Sequence, residues 1–98
     1  MSEQRILCAR FTAKPGREQE IERLLTELVE RVRAEPGNTV FDAHRTEADH
    51  RAFFVYEVYR NAAAFEDHIT ADYGLAFNEA LAELIEEDGA QLTWLERV

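Results

Sequence analysis

His68 is the residue best suited to chemistry in this chain. An imidazole ordinarily titrates near neutrality, so it can take up or release a proton under working conditions. It lies in the stretch 53–77 with Tyr56, Tyr59, Tyr73 and Phe77, and the lone tryptophan, Trp94, follows near the C-terminus. Phenols can hydrogen-bond a ligand oxygen, and aromatic rings can line an apolar pocket; the same residues serve equally well as core. His68 has a structural alternative too, as a helix-end histidine satisfied by a backbone carbonyl or a neighbouring carboxylate. Glu57 lies in an apolar stretch and needs a partner, such as a backbone amide or an arginine across a dimer. Cys8 has no base or cation beside it in sequence and reads as a buried thiol. His44, Glu47, Asp49 and His50 lack the spacing of metal ligands and read as a solvated turn. No glycine-rich nucleotide loop and no G-x-S-x-G elbow occurs.

The elements that must position His68 follow from hydrophobic periodicity. Residues 53–60 place Phe53, Val55 and Tyr59 on one side and Phe54, Tyr56 and Val58 on the other, the pattern of a central strand covered on both faces. Asn61 is placed to cap a short alanine-rich helix that carries His68. Thr70 is placed to cap a second, longer helix that turns Tyr73, Phe77, Leu81, Leu84 and Ile85 toward the sheet, with Gly89 as its C′ glycine. Residues 5–12 form another two-sided strand, with Ile6 and Cys8 opposite Leu7, Ala9 and Phe11. Over 17–34, Ile21, Leu24, Leu25, Leu28, Val29 and Val32 form one stripe of an amphipathic helix, which Pro36-Gly37 ends. Residues 38–45 alternate as a half-exposed edge strand, joined to the central one by the polar loop 46–50. Leu92, Trp94 and Leu95 belong to the last strand.

These elements predict a βαββαβ, ferredoxin-like α+β fold: a four-stranded antiparallel sheet with helices on one face and the first and third strands in the middle. The 98 residues suit one domain, 1–98. A net charge of −9 disfavours nucleic acid and anionic membranes as partners. No secretory leader or apolar run of bilayer length is present, and the expected location is cytoplasmic. The second sheet face would leave Phe and Tyr side chains in water. A homodimer packed sheet to sheet would cover them, and a space enclosed between the two copies would be a ligand pocket.

Lys14-Pro15-Gly16-Arg17-Glu18, Glu35-Pro36-Gly37-Asn38, and Tyr56-Glu57 followed by His68 together resemble the antibiotic biosynthesis monooxygenase family over nearly the whole chain. The resemblance implies a dimeric α+β barrel that oxygenates a quinol, phenol or polyketide-type aromatic with molecular oxygen, without flavin, haem or metal. It makes His68 the base and Glu57 the family's strand glutamate. Tyr59 stands where the family often has tryptophan, and Tyr73 where it often has a second histidine. With Tyr56, Phe77 and Trp94 they are the candidate substrate-binding residues. The first strand offers Cys8 and Arg10 rather than the asparagine of the haem-degrading branch. A third branch isomerises a phosphorylated signalling sugar derivative and would need a cationic site, with Arg10 and Arg45 as candidates. A dimeric binding or stress-response module, holding a ligand without turnover, is the non-enzymatic alternative.

Overall fold

The computed structural model describes residues 3–98. The chain runs through β1 (Arg5–Thr12), α1 (Glu18–Arg33), β2 (Asn38–Arg45), β3 (Ala52–Tyr59), α2 (Ala62–Ile69), α3 (Asp72–Ala82) and β4 (Gln91–Leu95). All three strand pairings are antiparallel, in the order β2-β3-β1-β4. This is the ferredoxin-like arrangement, and the two most apolar strands occupy its middle. A central strand is flanked by backbone on both sides, so its side chains must satisfy two faces of the sheet.

Strand alternation sorts the sheet. Ala9, Phe11, Phe41, Phe53 and Val55 turn to the helices and join Ile21, Leu25, Leu28 and Val32 of α1 in one core, while Leu7 packs with Tyr59 and Ala64 in a second cluster. Phe11 and Phe53, cross-strand partners, stack with centroids 5.5 Å apart. Each such buried side chain contributes about 1.5–3 kcal/mol relative to exposure. On the open face Ile6, Cys8 and Val58 are buried, whereas Phe54 and Leu95 are 39% and 42% exposed. The turn before α1 uses Gly16 at φ 85°, a conformation that a side chain would oppose.

Two expected caps differ. Asn61 does cap α2, accepting from the Ala64 amide at 2.9 Å. Thr70, however, closes α2 instead of opening α3: its hydroxyl donates to the carbonyls of Glu66 and Asp67, and Ala71 is the residue before α3. Nor does Gly89 end α3, which stops at Ala82. Beyond it the backbone exchanges helical bonds for bonds to the end of β1. The Lys14 amide donates to Leu84 and the Glu86 amide to Thr12, so Ile85 pairs with Ala13 and is buried. Among the described residues no helix is long and apolar enough to cross a membrane.

Candidate functional site

Four elements converge on one imidazole. The alternation of β3 turns Glu57 and Tyr59 to the helix side, and Asn61 then starts α2 so that two turns carry His68 back over them. Glu35 comes from the tightened end of α1, where its amide donates to Val32. Pro36-Gly37 holds it there: the Gly37 carbonyl accepts from the Arg60 amide at 2.8 Å, just after β3. Gly37 also lies so close to α2 that an added Cβ would come within 2.3 Å of the Ala64 Cβ. Only a glycine lets the turn and helix pack at this distance. From α3, Tyr73 adds its phenol.

Glu35 Oε2 faces His68 Nδ1 at 3.1 Å and accepts a hydrogen bond from Tyr73 Oη. A carboxylate opposite Nδ1 fixes the tautomer: Nδ1–H donates, and Nε2 keeps the lone pair. Nε2 stands 3.9 Å from Glu57 Oε1, beyond a hydrogen bond. Tyr59 Oη donates to that same Glu57 oxygen at 2.7 Å. The imidazole lies 4.8 Å from the Tyr59 ring and about 6 Å from Phe41 and Phe65, centroid to centroid. It is therefore a proton acceptor with a carboxylate behind it and aromatic walls around it.

Electrostatics bears on Glu57 and on the two phenols. Burial pushes Glu57 up to about 7; the hydrogen bond from Tyr59 opposes this, and the charge of Glu35 adds to it. Burial and then the Glu57 charge hold Tyr59 far above the usual phenol range, so it remains a donor. Tyr73 is pushed up to about 12 by burial, by its hydrogen bond to Glu35 and by that carboxylate's charge.

His68 and Glu57, with Asn78 and Asp88, form the polar part of the wall of a partly open cavity of about 380 Å³ between the sheet and the helices. Phe65, Ile69, Phe77 and Leu92 contribute apolar wall. This cavity lies within one chain, on the helix side. Of the aromatics singled out by sequence, Phe77 lines it. Tyr59 is fully buried behind Glu57, and Tyr73 acts behind the imidazole through Glu35. Trp94 packs edge-on against Phe65 at 5.0 Å, with the Arg5 guanidinium over its ring. Tyr56 is not brought to the cavity, because as the neighbour of Glu57 on a strand it must face the other side of the sheet. Arg10 is exposed on that face and Arg45 pairs with Glu22, so neither reaches the cavity. The polar loop 46–50 is closed by Thr46 and Asp49 hydrogen bonds.

Sequence reasoning passed over Glu35 and assigned Glu57 to structure. A signal existed for both. A carboxylate just beyond a helix C-terminus is opposed by the helix dipole, and one inside an apolar strand by desolvation; each is retained only with a specific partner.

Comparison with known proteins agrees with this architecture. Residues 5–80 match the model of a family described as antibiotic biosynthesis monooxygenase. The crystal structure of PA3566 from Pseudomonas aeruginosa superposes with a TM-score of 0.91 at 33% identity, covering 100% of this chain and 97% of that one. Rv0793 from Mycobacterium tuberculosis gives a TM-score of 0.89 at 22% identity, over 97% and 95% of the two chains, a likeness of fold alone. The protein sll1783 of Synechocystis sp. is 28% identical over 80 residues, 82% of this chain and 54% of that protein, so the chain spans about half the length of this curated relative.

Proposed function

Because the chain belongs to the antibiotic biosynthesis monooxygenase family, we propose that it is a cofactor-independent monooxygenase of a small hydroxylated aromatic or quinol. The observation that carries this reading is the His68 imidazole, with Glu35 against its Nδ1, on the wall of a largely apolar cavity. Nε2 takes the proton of the substrate hydroxyl, and the imidazolium formed is held by the Glu35 carboxylate, as in other carboxylate–histidine pairs. The resulting anion is electron-rich and itself reduces molecular oxygen. A new C–O bond forms at a ring carbon, and the other oxygen atom leaves as water. For a hydroquinone the balance is one quinol and one O₂ to one hydroxyquinone and one water. The substrate supplies all four electrons, so the balance needs no external reductant. Apolar walls keep the anion from bulk water.

The cavity wall carries His68, Glu57 and Asp88 and, among the described residues, no lysine or arginine. That lining favours an aromatic over a phosphorylated sugar. The working form in this reading is a homodimer joined through the open sheet faces, supported by the exposure of Phe54 and Leu95 there. The test is oxygen consumption across a panel of quinols and hydroxyanthraquinones. His68→Ala is expected to lower uptake at least a hundredfold, toward the autoxidation blank. Full activity of that variant on a turned-over substrate would remove His68 from the reaction.

A further inference from the structure

Three mostly buried side chains with a proton to place meet at one point. Glu35 and Glu57 stand on either side of the His68 ring, one at each nitrogen. The groups facing Glu57 are Tyr59 on its own strand, His68 on α2 and Glu35 beyond α1, with Tyr73 of α3 behind Glu35; Cys8 of β1 lies on the other face of the sheet. Among them the only cation available is His68 itself. Two ionised carboxyls beside a neutral imidazole would concentrate charge in a buried cluster, a costly arrangement.

The two oxygens of Glu57 are not equivalent. Oε1 accepts the Tyr59 hydrogen bond, while Oε2 carries no hydrogen bond among the described residues, on a side chain that lines the cavity. A proton on Glu57 therefore belongs on Oε2, the oxygen that Tyr59 does not occupy. The 3.9 Å between His68 Nε2 and Oε1 is too long for a direct bond, yet one ligand oxygen can lie within hydrogen-bonding reach of both side chains.

We propose that Glu57 acts as a neutral carboxylic acid that donates from Oε2 to the oxygen of a phenolic or enolic substrate, while His68 Nε2 accepts that oxygen's proton. The site is then an oxyanion trap: base and acid meet on one atom, and it selects substrates that bind as phenolate or enolate. A carboxylic acid kept neutral by an apolar site is a known type of oxyanion donor. The rise of Glu57 to about 7 agrees with this geometry. Glu57 becomes a catalytic residue beside His68, with Tyr59 holding its orientation. The proposal rests on the reading that this cavity takes a hydroxylated aromatic, but not on turnover.

The probe is 4-nitrophenol, titrated anaerobically so that no oxygenation enters the result. Its phenolate is yellow and its phenol colourless, so absorbance reports both binding and ionisation. Wild-type protein is expected to bind it as phenolate at a pH where the free dye is largely protonated, and affinity for the phenolate should fall as pH rises through about 7. Glu57→Gln keeps a donor amide and should stay within a few-fold of wild type while losing the share of that pH dependence that Glu57 adds to that of His68. Glu57→Ala should weaken binding by about tenfold to a hundredfold. Equal losses in Gln and Ala would mean that Glu57 acts through negative charge, and would overturn the proposal. So would wild-type binding of the dye as neutral phenol, or no binding at all. If Glu57→Ala fails to fold, the Gln variant and the wild-type pH profile decide alone. Failure here with oxygen uptake intact would leave the monooxygenase reading standing, whereas an ionised bound dye without any uptake would do the reverse.

Discussion

At the residue scale, the site is a competition for protons among groups that the sequence scatters over nearly forty positions, Glu35 to Tyr73. Raising Glu57 to about 7 has a thermodynamic consequence. Below the unfolded carboxyl's value, near 4.5, both states are protonated and the group is neutral toward stability. As pH climbs from there to about 7, the unfolded chain releases a proton that the folded one retains, so folded stability falls, by at most roughly 3 kcal/mol. Glu57→Gln, which can still accept from Tyr59, should raise the melting temperature more at pH 8 than at pH 5. Equal shifts at both pH values would place Glu57 in an ordinary ionised state. Glu35 acts through the imidazole rather than on substrate. Glu35→Gln should lower kcat by tenfold or more with little change in KM, because a misoriented ring slows proton transfer without altering the apolar walls. A change confined to KM would contradict a positioning role.

At the element scale, the close approach of the 36–37 turn to α2 fixes the distance between Glu35 and His68. The amphipathic stripe of α1 and the two-sided strands β1 and β3 were legible because burial on a sheet enforces simple periodicities. Asn61 was legible because a cap is local chemistry. The end of α3 was not, since it is set by backbone bonds from Lys14 and Glu86, residues more than seventy positions apart. Thr70 bonds backward or forward with the same hydroxyl, and only the neighbouring turn decides. Gly37 was read merely as a helix stop; its contact with Ala64 appears only when the chain is folded. Gly37→Ala should destabilise the protein by about 1–3 kcal/mol through this overlap. Ala64→Gly in the same chain should recover part of that loss, a coupling measurable in a denaturant double-mutant cycle. Additive effects would show that turn and helix do not press on one another.

At the scale of the whole molecule, strand order, helix placement and the middle positions of β1 and β3 followed from sequence pattern. The location of the cavity did not. The cavity with the titratable cluster opens on the helix side of a single chain. Pattern cannot distinguish a side chain that fills a core from one that borders a void, because both are apolar and both are shielded. The open face remains the natural contact for a second copy, with Phe54 in its exposed part and β4 at the sheet edge. Light scattering should give twice the chain mass, and Phe54→Glu should shift it toward a single chain; a wild-type monomer would remove the proposed dimer.

The central claim is that one atom of molecular oxygen enters the substrate. With a quinol that the protein turns over, the product formed under ¹⁸O₂ in ordinary water should carry one heavy oxygen per molecule, and the product formed in H₂¹⁸O under ordinary oxygen should carry none beyond carbonyl exchange. Incorporation from water instead, or conversion that continues unchanged when oxygen is removed, would contradict the monooxygenase account.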